Sequence, residues 1–172
     1  MEATIKKYPE LFRKLKSRIN YLIKKHGIKL SKKKYRSNIG SAWADEKKIK
    51  IPIIKDIESV YVILHEIAHV VYDHGENSTK RLYLEEMEAE VFALNFLKKW
   101  NIQRNFPEDY NKIRNRAQRY IRWNILHTIQ KTYSEEKEVL LLENVHVRAL
   151  RFSKLNKFKI KLVRKSTKRN KK

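Results

Sequence analysis

Apolar residues recur at the three-to-four-residue spacing of an amphipathic helix in three stretches of the chain, each interrupted by polar residues. The first stretch covers residues 9–26 and is followed by Gly27, which can adopt the left-handed conformation that commonly ends a helix. The second covers residues 82–100, and the third covers residues 107–132. The pattern therefore predicts long helices both before and after the middle of the chain.

A different period marks the segment after the first helix. Isoleucine occupies every second position of residues 49–53, which predicts a strand with its other side chains facing outward. Residues 39–44 predict a partner strand, and the polar residues 45–48 predict the turn between them. Because Pro52 has no N–H to donate to a ladder, we expect it at a sheet edge or at the end of its strand. Residues 28–30 predict a further short strand.

The stretch between the hairpin and the second amphipathic helix is apolar on nearly all sides. Residues 57–74 contain this run, Asp56 and Ser59 are candidate N-terminal caps, and Gly75 is the expected stop. A helix that is apolar all round is typical of the buried centre of a domain. We therefore expect an α+β fold, in which a small sheet with an edge hairpin packs on a buried helix and two further long helices.

This buried helix carries the sequence H-E-x-x-H at His65, Glu66 and His69. Residues four apart lie on one helix face, so both imidazoles can bind the same zinc ion. Glu66 is rotated by about 100° from His65, which suits it to hold the attacking water instead of the metal. Two histidines and a glutamate are costly to bury unless they are paired or bind a metal. The motif therefore predicts a Zn²⁺ site, with His65 and His69 as ligands and Glu66 as the catalytic base.

Composition restricts the ligands and the setting of that site. The 172 residues include no cysteine, so any metal must be held by histidine and carboxylate. No apolar run has the length of a membrane span, and the N-terminus lacks the apolar segment of a secretory signal. From these features we expect a soluble protein with no membrane contact, located in the cytoplasm or associated with a phage virion or nucleoprotein.

The charge of the chain, +22 in total, is concentrated at its two ends. Residues 1–36 hold 13 basic and 2 acidic residues, a net charge of +11, and residues 144–172 hold 12 basic and no acidic residues. Residues 37–143 hold 16 basic and 17 acidic residues, a net charge of −1. This segregation predicts that residues 1–36 and 144–172 bind nucleic acid or another polyanion. Together with the H-E-x-x-H, a motif typical of metallopeptidases, it divides the chain into a metallopeptidase domain over residues 1–143, with the core motifs in 37–100, and a basic C-terminal extension over 144–172.

Four motifs together resemble the ImmA/IrrE family of zinc metallopeptidases over roughly residues 36–100. They are Ser41-Ala-Trp-Ala-Asp, Lys48-Ile-Lys-Ile-Pro52, His65-Glu-Ile-Ala-His69 and Glu86-Met-Glu-Ala-Glu-Val-Phe-Ala93. The resemblance implies a zincin-like fold, peptide hydrolysis with Glu66 as general base, and Glu88 as the third zinc ligand. The edge hairpin just before the H-E-x-x-H also suits a peptidase, because an extended substrate can add to an exposed strand. Glu90 stands where the family usually has asparagine, and the basic ends lie outside the resemblance.

Other residues stay open as members of the site. On a helical wheel Glu85 lies closest to the centre of the apolar face and Glu88 lies at its edge, so Glu85, Glu86 and His74 are alternative third ligands. A further donor normally steadies the oxyanion of peptide hydrolysis. The candidates for this role are His127, Tyr120, Tyr133 and His146.

Two functions compete on these observations. The first is a zinc metalloendopeptidase whose substrate is a protein on nucleic acid, either a repressor or a protein crosslinked to DNA, as in the SprT-like proteases. The SprT-like version fits less well, because those enzymes use a third histidine where this chain offers Glu88. The second is a non-catalytic zincin-fold protein that binds nucleic acid or forms part of an assembly such as a phage particle.

Overall fold

The computed structural model describes residues 4–32 and 38–136, and for residues 129–136 it describes the backbone alone. Within these ranges the chain is mixed α+β and mostly helical, with one small three-stranded sheet, which confirms the predicted class. The elements in chain order are α1 (Pro9–Lys25), β1 (Lys29–Leu30), β2 (Ser41–Trp43), β3 (Lys48–Lys50), α2 (Ile57–Val71), α3 (Leu82–Lys99), α4 (Ile102–Asn105) and α5 (Pro107–Glu136).

Helix α1 follows the predicted bounds closely. Pro9 opens it, where a missing N–H costs no helical hydrogen bond, and Gly27 follows it with φ of 64°. Its apolar stripe is buried, whereas all six of its lysines and arginines are exposed. The buried side chains of α1 are Phe12, Leu15, Ile19 and Leu22.

The sheet has the order β1-β3-β2, so β2 is an edge strand. β2 pairs antiparallel with β3, with Ala42 opposite Ile49, and β1 pairs parallel with the other side of β3. The predicted hairpin is therefore present. Its second strand ends at Lys50 and does not reach residue 53, which keeps Pro52 outside the ladder.

Helix α2 is the buried helix of the domain, with eleven of its fifteen residues buried. It packs against α1, β2 and β3. The predicted end at His74 with a stop at Gly75 is wrong, because the helix ends at Val71 and Asp73 adopts the left-handed conformation with φ of 54°. The N–H of His74 donates to the carbonyl of His69 at 2.9 Å, which closes the helix end as in a Schellman motif.

The C-terminal half of the described chain is helical. The residues between the second and third amphipathic stretches contain the short helix α4, which follows Asn101 in the left-handed conformation with φ of 61°. Helix α5 continues to Glu136, beyond the predicted end near residue 132. None of the helices in residues 4–32 and 38–136 is long and apolar enough to cross a membrane.

The chain divides into two compact units. One comprises Met1–Thr79 and Glu88–Arg114, and the other comprises Lys80–Met87 and Asn115–Lys172. The first unit holds α1, the sheet, α2, α4 and most of α3. The predicted boundary between residues 143 and 144, and the basic extension after it, lie outside the described residues.

Candidate metal centre

The start of α2 fixes the register of the helix that carries the motif. The Ser59 N–H donates to Asp56 Oδ1 at 2.7 Å, and the Asp56 N–H donates to Ser59 Oγ at 3.1 Å. This reciprocal capping box satisfies two backbone donors that the first turn leaves unpaired. The predicted caps are therefore both used.

The two histidines of the motif meet through their outer nitrogens. Nε2 of His65 and Nε2 of His69 are 3.1 Å apart, and the ring planes are inclined by 70°. Two nitrogens that each bind one zinc ion at tetrahedral angles would lie about 3.3 Å apart. The pair is thus already close to the separation that a shared metal ion requires.

The side chain of Glu66 extends from α2 towards the edge strand β2. Glu66 is 8% exposed, and its side chain fills the space beside Gly40, the residue just before β2. A Cβ at position 40 would lie only 2.7 Å from the carboxyl carbon of Glu66. The absence of a side chain at Gly40 therefore makes room for the carboxylate at this place.

A carboxylate of α3 contacts the inner nitrogen of His65. Glu90 Oε1 is 3.5 Å from His65 Nδ1, and the Tyr61 hydroxyl donates to Glu90 Oε2 in a short hydrogen bond. Glu90 is 2% exposed. A carboxylate at the second nitrogen of a ligand histidine fixes its ring and tautomer, so that the first nitrogen faces the metal.

The carboxylates predicted as third ligands are placed differently from one another. His65, His69 and Glu86 each offer one atom that can bind a metal, and these three atoms all lie within 4.8 Å of one another. Glu86 is 8% exposed. Glu88 Oε2 instead lies 2.9 Å from His74 Nε2. His65, His69 and Glu86 could together hold a metal ion. Glu88 as a ligand stays a prediction, and Glu85 is not in the group.

The predicted oxyanion donors are spread over α5 and the segment after it. Tyr120 and His127 lie on α5 in the second unit, where Tyr120 is exposed and His127 stacks on Trp123 at 5.3 Å. The side chain of Tyr133 and all of His146 lie outside the described residues.

Sequence reasoning missed the roles of Gly40, Tyr61 and Glu90. Tyr61 is four residues before His65, and Glu90 is four residues after Glu86, so helical spacing could have placed both beside the site. Nothing in the sequence signals that Gly40 lies against Glu66, since that contact joins a strand to a helix.

Comparisons with protein-family models, with curated proteins and with solved structures found no match to this chain. The resemblance to the ImmA/IrrE family therefore stays a prediction.

Proposed function

We propose that this protein is a zinc-dependent metallopeptidase with a zincin-like fold, related in its site to the ImmA/IrrE family. The observation that carries the proposal is the distance of 3.1 Å between His65 Nε2 and His69 Nε2 on a buried helix. Glu66 directly follows His65 on the same helix. Two histidines and one glutamate form a known ligand set of catalytic zinc sites. In this proposal the third ligand is Glu86, because its carboxylate belongs to the group that contains both histidines.

The chain's own residues then have separate parts in the hydrolysis. Zinc, when bound, lowers the pKa of a water towards about 7 and polarises the scissile carbonyl. Glu66 accepts the proton of the attacking water and returns it to the leaving amine. Glu90 orients the His65 ring through its contact with Nδ1 and takes no proton in the reaction.

The edge strand supports a peptide as the substrate. β2 has a paired neighbour on one side only within the described sheet, and Gly40, the residue just before β2, lies against the Glu66 side chain. An extended peptide that pairs with the free side of β2 would run past the general base. Trp43 at the end of β2 is 40% exposed and offers an apolar contact to such a peptide.

Nucleic acid or another polyanion is the proposed partner of the basic segments. On α1 the buried stripe faces the protein, while Arg13, Lys14, Lys16, Lys24 and Lys25 are exposed. Charges on one helix face can bind phosphates and bring the peptidase to proteins on nucleic acid. Replacing Lys14 and Lys24 by glutamine should lower the slope of log affinity against log salt by about one for each phosphate that is no longer bound.

Hydrolysis is tested with a mixed peptide library, read by mass spectrometry, and the variant Glu66→Gln. The zinc-loaded wild type should produce defined cleavage products, and Glu66→Gln should bind zinc equally but cleave about 10²–10⁴-fold more slowly. Equal cleavage by both proteins would refute the role of Glu66. A zinc-loaded wild type that yields no product would favour the non-catalytic assembly protein.

A further inference from the structure

His74 is brought back to the site by the way in which α2 ends. The helix stops at Val71, and the left-handed Asp73 reverses the chain. Aspartate tolerates this conformation better than most residues with a side chain. The side chain of His74 is consequently buried, at 1% exposure, although the residue follows the helix and lies in a loop.

Both ring nitrogens of His74 have a partner. Nδ1 of His74 is 3.1 Å from Nδ1 of His69, and Nε2 of His74 is 2.9 Å from Oε2 of Glu88. The rings of His69 and His74 are inclined by 73°, with centroids 5.1 Å apart. His69 thus has its outer nitrogen towards His65 and its inner nitrogen towards His74.

The positions of the protons follow from these contacts in order. The carboxylate of Glu88 accepts, so Nε2 of His74 donates to it, and with a single proton on the ring the Nδ1 of His74 is an acceptor. His69 must therefore donate from its own Nδ1, which leaves the lone pair of a neutral His69 on Nε2. That is the nitrogen that faces His65.

We propose that Glu88 and His74 are positioning residues that hold His69 in its metal-binding tautomer, and that Glu88 acts through His74 and not as a ligand. The inference rests on the proposed zinc site. It differs from the contact at His65, where Glu90 reaches the ligand ring directly. Partners of this kind typically change metal affinity by about 10–100-fold.

Zinc affinity of the full chain, measured by competition with a chelator, tests the proposal. His74→Phe and Glu88→Ala should each weaken binding by about 10–100-fold. The double variant should lose no more than the larger single loss, because Glu88 has no effect once His74 is gone. Glu88→Gln should recover part of the affinity, since its amide oxygen can still accept from His74. Glu85→Ala, which removes the same charge from the same helix, is the matched control and should bind zinc normally.

A second measurement separates this proposal from the proposed function. Nitrogen NMR of the histidine rings in the zinc-free protein should show His69 protonated at Nδ1, and His74→Phe should shift that ring towards a mixture of tautomers. A wild type that binds no zinc but shows this shift would refute the zinc enzyme and still support the positioning of His69 by His74 and Glu88. An unchanged His69 tautomer in His74→Phe would overturn this positioning role. Equal and much larger affinity losses in Glu88→Ala and Glu88→Gln would identify Glu88 as a ligand and would also overturn it.

Discussion

The two histidines that we propose as zinc ligands lie one turn apart on the same helix, yet they contact different partners. His65 is backed directly by Glu90, whose side chain is 3% exposed and which also accepts from Tyr61. His69 is backed by His74, and the carboxylate behind it, Glu88, is 29% exposed. One side of the site is therefore closed within the core, and the other reaches solvent through a short chain of polar groups.

This difference separates stability from metal affinity. A polar group that loses its partner in the core costs free energy even without metal, whereas a half-exposed carboxylate can be replaced by water. We expect changes on the His65 side to affect folding and zinc binding together. On the His69 side, a change at the partly exposed Glu88 should affect zinc binding alone.

The largest loss of zinc affinity should come from removing either of the two histidines that we propose as ligands. His65→Ala and His69→Ala each remove a ligand, so each should lose more affinity than the about 10–100-fold expected for an outer partner. Zinc content after dialysis measures this loss. His26→Ala, at the end of α1, is the control. Retention of one zinc per chain in either ligand variant would contradict the assignment.

The next effect concerns Glu66, the proposed general base, whose carboxylate lies against Gly40. Gly40→Ala puts a Cβ into the space of the Glu66 carboxylate, so hydrolysis should fall by up to the about 10²–10⁴-fold that such a base contributes. Zinc affinity should not change. Gly75→Ala is equally crowded, but by Asp45, and should keep its activity. Full activity in Gly40→Ala would show that Glu66 needs no such space.

A direct test of the comparison is Glu90→Ala beside Glu88→Ala. Both should weaken zinc binding by about 10–100-fold. Only Glu90→Ala should destabilise the zinc-free protein, by about 1–3 kcal/mol, because it removes a buried acceptor from Tyr61. Denaturant unfolding in the presence of a chelator measures this difference. Equal unfolding free energies for the two variants would remove the distinction between the two sides.

The smallest effect should come from the start of α2. Asp56→Ala removes the capping carboxylate and should cost about 0.5–2 kcal/mol of unfolding free energy. The change lies more than two turns before His65, so zinc affinity of the folded protein should stay the same. A large loss of affinity would show that the cap sets the ligand geometry.

Local patterns were enough to predict four of the five helices of the described residues, the hairpin and the two candidate ligand histidines. The period of the apolar residues predicted α1, α3 and α5, the run that is apolar on nearly all sides predicted α2, and the four-residue spacing placed His65 and His69 on one face. The end of α2 was predicted wrongly because Asp73, and not Gly75, takes the left-handed position. Because the end of α2 was predicted wrongly, the contact between His74 and His69 could not be predicted.

Contacts between distant elements could not be predicted in the same way. Which glutamate of α3 approaches α2 depends on how the two helices are rotated, and neighbouring positions differ by about 100°. The wheel favoured Glu85 and the resemblance favoured Glu88, whereas the structure groups Glu86 with the histidines. The meeting of Gly40 and Glu66 likewise depends on how the sheet packs on the helix.

X-ray absorption at the zinc edge of the full chain, loaded with one equivalent of zinc, tests the central claim most directly. The account predicts a four-coordinate zinc with two imidazole nitrogens and oxygen ligands at about 2.0–2.2 Å. The imidazole signal should fall by half in His69→Ala. A spectrum without imidazole ligands, or one that His69→Ala leaves unchanged, would contradict the metal centre.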